Sequence, residues 1–422
     1  MNIYNLLNKD IRCSCGKTHR CDIRALTISS GALDTLPDAT APYSSIVIVA
    51  DSNTYPLCID KVRALIGDRI SGVCLFETEG ALVPDEKAIK KIESSLAEGT
   101  DLLLGIGSGV INDLCKYVSF YHKIKSGIIA TAPSMDGYAS SGAAMIIDGM
   151  KVTDTTHAPD IIIGDTDILK NAPMDMIRSG YGDIIGKYSS LNDWELAHLV
   201  LGEHFCREIY DIVLEATNDI RDCAKGIVER DDSAIEKLMQ ALVLIGITLS
   251  LGETTRPGSG SEHHLSHFFE IVGLINGEKH FAHGTDVAYN TIITAAIREQ
   301  ILKLREPEFC EESPERRERA WERIYKSVAD EVRALQKSAG SYERDLRPIY
   351  RERWEDIRKI LAKCPTADEC KRMMGAVGFD FSDCVALYGE QKIRDATAYG
   401  KDLKNRYSVL WLYYSLFSGK NN

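Results

Sequence analysis

The 422-residue sequence lacks a surplus of positive charge, and it lacks any run near the ~20 consecutive apolar residues that a membrane helix needs. With 62 acidic against 50 basic side chains, its formal charge is -12. A general phosphate-backbone binder needs a basic face, so nucleic acid is not an expected partner. A single phosphate on a small molecule remains within reach, because a helix N-terminus or a few local basic groups suffice for one. Residues 1–12 hold no apolar block of signal-peptide length, and a cytoplasmic chain is the expectation. The twelve cysteines are scattered and form no disulfide framework, which suits a reducing compartment. Internal repeats and low-complexity segments are also missing.

One cysteine group stands out. Cys13-Ser14-Cys15-Gly16-Lys17-Thr18-His19-Arg20-Cys21 places three thiols and an imidazole close together. Packed thiols at a turn are the preferred reading, with a zinc clamp as the alternative.

The first third of the chain alternates apolar runs with helical patterns. Ser45–Ala50 is a β-branched run ending at Asp51-Ser52-Asn53, a buried strand followed by a turn. Similar runs fall at Gly72–Phe76, Asp101–Gly109 and Gly127–Pro133, with helical segments around 58–66 and 85–97. Further strand-like runs at Ala143–Ile147 and Ile161–Ile163 close the region. This alternation predicts a parallel sheet covered by helices. After about residue 170 helical spacing takes over, as in Ile235, Leu238, Leu242, Ile245 and Leu249. The expected organisation is an α/β Rossmann-like domain over 1–170 and an all-α domain over 171–422. The Arg- and Glu-rich stretch 305–363, anchored by Trp321, Ile324, Val328 and Val332, reads as a charge-laced helical face. Leu410, Trp411, Leu412, Tyr413, Leu416 and Phe417 read as a core or subunit-contact helix.

Three segments carry chemistry. In Leu104–Asp113, Gly105, Gly107 and Gly109 flank a strand end, where backbone N–H groups can approach a pyrophosphate. Tight turns need glycine too, and the spacing differs from the dinucleotide fingerprint that follows a first strand. Asp51 could bond an adenine ribose or simply cap its turn. In Glu262–Glu270, His263 and His267 share one helical face, and His283-Gly284 follows twenty residues after His263. A surface pair and a loop histidine are the plain alternatives to a metal site. Asp183, in Ser179–Lys187, forms an i,i+4 pair with Lys187 that by itself reads as a helix salt bridge.

Together these segments resemble the iron-containing alcohol dehydrogenase and dehydroquinate synthase superfamily, and within it most closely the sn-glycerol-1-phosphate dehydrogenase family. The most specific segment is Ala130-Thr131-Ala132-Pro133-Ser134-Met135-Asp136-Gly137-Tyr138-Ala139-Ser140-Ser141. It is joined by Gly182-Asp183-Ile184-Ile185, by Ser259–His263 with His267, and by His283-Gly284. The matching segments run in family order from about residue 45 to 290, and neither the cysteine-rich N-terminus nor the charged stretch after 300 contributes a functional motif. The resemblance implies one divalent metal on Asp183, His263 and His283. It implies NAD or NADP contacts from Asp51, from Gly107, Ser108, Gly109, Val110 and Ile111, and from Thr131, Ser134 and Ser140. It gives Asp136 and His267 to the substrate as catalytic residues, in a cleft between the two domains, and it implies a homodimer. Iron-dependent relatives add a histidine where Lys187 stands, so a three-ligand site is expected, suited to zinc and open to nickel or iron. The implied reaction is reduction of dihydroxyacetone phosphate to sn-glycerol 1-phosphate. A glycerol (polyol) dehydrogenase is the alternative. A dehydroquinate synthase-like lyase is disfavoured, because those enzymes place Glu where Asp183 stands. Lys187 and Arg256 suggest themselves as phosphate ligands only because they flank the metal motifs.

Overall fold

A computed structural model describes residues 3–78, 80, 82–147, 150–279 and 281–418. The chain divides into two units, Met1–Ile184 with Asp211–Thr255, and Ile185–Tyr210 with Arg256–Asn422. Periodicity alone suggests a single change of character near 170. The helices of 211–255 instead group with the sheet, because their apolar faces find partners there.

The first unit is built on a six-stranded parallel sheet. Its strands are β1 (Ala25–Ser29), β2 (Ile46–Asp51), β3 (Ile70–Phe76), β4 (Leu102–Gly107) and β5 (Lys125–Ala130). After a two-stranded antiparallel ribbon of β6 (Gly142–Ile147) and β7 (Met150–Thr155), β8 (Ile161–Asp165) completes it. The order across the sheet is β1-β8-β5-β4-β2-β3. Strands buried on both faces of a parallel sheet read as unbroken apolar runs, and Ile46–Ala50 and Leu102–Gly107 are buried throughout.

The apolar runs Ser45–Ala50, Gly72–Phe76, Asp101–Gly109, Gly127–Pro133 and Ile161–Ile163 each supply a strand of this sheet, with ends shifted by a few residues. Two features differ. Ala143–Ile147 lies outside the sheet, in the ribbon with β7, and the edge strand β1 has no clear sequence signal. Ala-Leu-Thr-Ile-Ser is neither an apolar run nor a clean alternation, and β8 fixes it through the register Ala25↔Ile161 to Ser29↔Asp165.

The intervening helices follow their sequence cues. α1 (Ile59–Ile66) buries Ile59, Val62 and Ile66 at helical spacing. α2 (Glu86–Glu93) is capped by the Asp85 carboxylate, which accepts the N–H groups of Lys87 and Ala88 at 3.0 Å. α3 (Gly109–His122) leaves β4 directly, and α4 (Met174–Ile185) carries Asp183.

In the second unit the first helix is α5 (Lys187–Leu201). The sheet unit reclaims the chain for α6 (Asp232–Gly252), whose N-cap Asp231 accepts the Ala234 N–H at 3.1 Å. By length and composition α6 is apolar enough to cross a membrane, although polar residues interrupt its apolar run, and 72% of its most apolar window is buried inside the fold. It packs against the short turn Gly137–Ala139 and the β1 edge, as a core helix does.

The remainder is helical: α7 (Ser261–Asn276), α8 (His283–Leu302), α9 (Pro314–Tyr325), α10 (Ala329–Ala339), α11 (Trp354–Leu361), α12 (Ala367–Ala376), α13 (Ser382–Tyr399) and α14 (Val409–Phe417). Trp321, Ile324 and Val332 are buried in one apolar core with Leu410, Trp411, Leu412 and Leu416. The charged stretch is thus a solvated face over that core, and α14 is a core helix.

Gly180 sets how closely α4 meets the loop after β5: a Cβ there would stand 1.9 Å from the Pro133 carbonyl oxygen. That oxygen is backbone and cannot swing aside. Gly180→Ala is expected to cost about 1–3 kcal/mol, read as a lowered urea midpoint at unchanged slope.

Candidate active site

In the sheet unit, strand direction diverges beside β2. From β2 the chain crosses to β3 on one side, while β4 lies on the other side of β2 and leads on to β5. Open α/β sheets leave a crevice at such a switch point, beyond the strand C-termini. The C-termini here are Asp51 on β2 and Gly107 on β4. A Cβ on Gly107 would meet Ile111 at 2.6 Å, and one on Gly105 would meet Ile111 and Ile128 at 2.9 Å. These glycines therefore serve first to let α3 approach the sheet. The same closeness puts the first turn of α3, with its outward N–H groups, at the strand end. Ile111 contributes only backbone to any ligand, since its side chain is buried.

Asp51 is a turn builder. Its Oδ1 accepts the N–H groups of Asn53 at 2.8 Å and Thr54 at 2.9 Å, and Thr54 Oγ1 donates to the Ile106 carbonyl at 2.7 Å. The turn role left open by the sequence is the one drawn in hydrogen bonds.

Beyond β5 the loop 131–141 is pinned at several points. The Thr131 N–H donates to the Gly107 carbonyl at 3.0 Å, and the buried Tyr138 hydroxyl donates to Ala132 at 2.6 Å. Ser179 Oγ donates to the Ser134 carbonyl at 3.0 Å. The Asp136 N–H donates to Asp183 Oδ2 at 3.0 Å, so an acid on α4 is aimed by the backbone of the loop that carries Asp136. Ser140 Oγ donates to the Gly137 carbonyl at 3.1 Å.

Lys116, which the sequence reading passed over, holds the end of this loop. It is fully buried, pairs with Asp113 at 2.9 Å, and donates to the carbonyls of Gly137 at 3.0 Å and Gly142. A lysine in the middle of an ordinary amphipathic helix gives no hint of this. Only the loop's return past α3 makes the contact.

The second unit brings three histidines together. His263 on α7 and His283 at the start of α8 set their Nε2 atoms 3.2 Å apart. The His267 ring is 6.4 Å from each of theirs. His263 Nδ1 faces Glu262 Oε1 at 2.8 Å, and the same oxygen accepts the Gly260 N–H at 2.7 Å. With the proton on Nδ1 donating to the carboxylate, the Nε2 lone pair points at His283. Burial pushes His263 well below the ordinary histidine range, and the positive charge of Lys187 adds to that. It is therefore a neutral imidazole. Two facing nitrogens of this kind call for a proton or a cation between them. Nitrogens at ~2.05 Å from a tetrahedral ion stand about 3.3 Å apart, so the observed spacing fits a metal.

The platform beneath is a buried ionic network that was not legible in sequence. Asp193 Oδ2 accepts the Ser261 N–H at 2.6 Å, its Oδ1 accepts the Val409 N–H at 2.8 Å, and Arg298 pairs with it at 3.0 Å. Arg298 also donates to Asn192 Oδ1 at 2.8 Å. Lys187 Nζ donates to the Gly258 carbonyl at 2.9 Å, supporting the turn that enters α7. Arg256 does not fit the phosphate role its position suggests. Its fork grips the Glu203 carboxylate, with Nε to Oε1 at 2.5 Å, and reaches the Tyr407 carbonyl at 2.5 Å.

The chain is similar to several known proteins. A family model described as iron-containing alcohol dehydrogenase matches residues 27–173. A glycerol-1-phosphate dehydrogenase (NAD(P)+) of Halalkalibacterium halodurans is 34% identical over 292 residues, 68% of this chain and 73% of that one. One of the same name from Bacillus licheniformis is 28% identical over 405 residues, covering 94% and 90%. Among solved structures, a probable glycerol dehydrogenase from Sinorhizobium meliloti 1021 superposes with a TM-score of 0.61 at 15% identity, covering 94% of this chain and 96% of that one. At that identity the likeness speaks for the fold alone.

Removing the carboxylate that orients His263 tests the metal fit. Glu262→Ala is expected to weaken zinc binding to stripped protein by about 10–100-fold, measured by competition with a chromophoric chelator.

Proposed function

The chain belongs to the sn-glycerol-1-phosphate dehydrogenase family within the iron-containing alcohol dehydrogenases, and from that membership we propose that it interconverts dihydroxyacetone phosphate and sn-glycerol 1-phosphate with NAD(H) or NADP(H). The observation that carries the reading to this chain's own residues is the pair of imidazoles facing each other at 3.2 Å, with Glu262 behind one of them. We assign Asp183, His263 and His283 as the ligands of one divalent cation, zinc by preference. One oxygen and two nitrogens leave a coordination position open, as catalytic zinc requires. We assign the dinucleotide to the switch point, with Asp51, the backbone of Gly107 through Ile111, Thr131, Ser134 and Ser140 around it. A homodimer in the cytoplasm is the setting the family resemblance implies.

Bound there, the cation would supply Lewis-acid polarisation of the ketone and the nicotinamide would supply the hydride. The rest falls to protein groups. Asp136, buried and held at its own N–H by Asp183, accepts a substrate hydroxyl and fixes which carbonyl face is presented. His267, one helical turn from His263 and more exposed to solvent, gives the former carbonyl oxygen the proton that makes it a hydroxyl and is recharged from water. No covalent intermediate with the protein is needed.

Oxidation of NADH should be markedly faster with dihydroxyacetone phosphate than with dihydroxyacetone, and should vanish on chelation and return with zinc. Equal or better turnover of dihydroxyacetone would make the chain a polyol dehydrogenase instead. Asp183→Ala and His283→Ala are expected to lose bound metal and to lower kcat/KM by roughly 100-fold or more. Retention of metal and full turnover in either variant would overturn the ligand assignment.

A further inference from the structure

The cysteine-rich N-terminus takes no part in the reaction just described. It folds into a ribbon in which only Ile11–Arg12 and Thr18–His19 pair, in the register Ile11↔His19 and Arg12↔Thr18. Two residue pairs cannot hold a ribbon by themselves in water. Its turn is nevertheless closely defined. The Cys13 N–H donates to the Lys17 carbonyl at 3.1 Å and the Gly16 N–H donates to the Cys13 carbonyl at 3.1 Å. Gly16 sits at φ +87, where a side chain would be strained.

Within this turn the donors converge. The thiols of Cys13 and Cys15 and a ring nitrogen of His19 lie within 4.8 Å of one another. The Cys15 N–H donates to Cys13 Sγ at 3.4 Å, a contact that favours the thiolate. Cys15 Sγ is 3.3 Å from His19 Nε2. Sulfur at ~2.3 Å and nitrogen at ~2.05 Å on a tetrahedral zinc stand about 3.5 Å apart, close to that spacing. His19 is oriented as a ligand is: its buried Nδ1 donates to the Leu251 carbonyl at 2.6 Å, which turns the Nε2 lone pair toward the thiols. Cys21 is excluded from the group. It is buried, and burial with the nearby Asp22 pushes its thiol up to about 12.

We propose that Cys13, Cys15 and His19 bind a second, structural zinc ion, which closes the N-terminal ribbon and fastens it to the C-terminal end of α6 through His19 and Leu251. Binding forms two zinc–sulfur bonds and one zinc–nitrogen bond, releases the two thiol protons to solvent, and changes no oxidation state. A further donor completes the tetrahedron.

Full-length wild-type enzyme, saturated with zinc and desalted, should carry two zinc ions per chain by elemental mass spectrometry. Its zinc X-ray absorption should include a sulfur shell at ~2.3 Å. The Cys13→Ser/Cys15→Ser double variant should carry one ion and lose the sulfur shell, while still reducing dihydroxyacetone phosphate. If that variant fails to fold, the wild-type sulfur shell and the thiolate charge-transfer absorption of cobalt-loaded wild-type protein decide the matter alone. One zinc per chain with only nitrogen and oxygen neighbours, or two ions and no sulfur shell, would overturn the site. Neither result bears on the oxygen- and nitrogen-ligated catalytic ion, so the two assignments fail separately.

Discussion

Glu262 accepting a hydrogen bond from Nδ1 of His263 is the contact on which the arrangement of the helical unit's histidines depends. Without it the imidazole could present either nitrogen and swing about its χ angles. With it, one lone pair is fixed toward His283. The carboxylate is fully buried, and the arrangement survives because the backbone serves it: Gly260 donates its N–H to the same oxygen. A side chain at Gly260 would press within 2.7 Å of the Ser190 Cα and 2.8 Å of Asp193 Oδ2. Asp193 in turn holds the first N–H of α7 and the start of α14, and Arg298 neutralises it. Removing one member of a buried pair of this kind costs about 3–5 kcal/mol, because its partner stays behind unpaired. Such a network earns its place by fixing position.

The sheet-bearing half works by a different economy. The groups proposed to face the dinucleotide there are mostly backbone, and their placement follows from how closely elements approach. Gly105 and Gly107 bring α3 onto β4, Gly180 brings α4 onto the Pro133 carbonyl, and Lys116 ties down the loop that starts at Thr131. Asp183 inherits its aim from this packing, through the Asp136 N–H. Side chains with demanding chemistry are thus few, and each is set by a main-chain group whose position the fold has already decided.

The N-terminal ribbon shows the same reliance on backbone. His19 is turned by a carbonyl near the end of α6, and the Cys13–Gly16 turn is closed by its own amides. What the ribbon lacks is apolar area, which explains why thiols and an imidazole gather where a larger element would simply bury leucines.

The sequence by itself determined the parallel sheet and the ligand candidates. Runs such as Ile46–Ala50 and Ile161–Ile163 can be satisfied only by burial on both faces, and Asp183, His263, His267 and His283 are recognisable by type, order and company. It did not determine β1, whose pairing with β8 outweighs a weak local preference, or that 211–255 return to the sheet. Nor did it reveal the roles of Lys116, Glu262, Asp193 and Arg298. A buried lysine and a solvated one are written with the same letter, and so are an arginine that grips Glu203 and one that would grip phosphate. Which partner a charged group meets is a property of chain segments 53 residues apart, as for Arg256 and Glu203, or more than 100 apart, as for Arg298 and Asp193. Only the tertiary structure brings them together, and desolvation then makes the choice of partner matter.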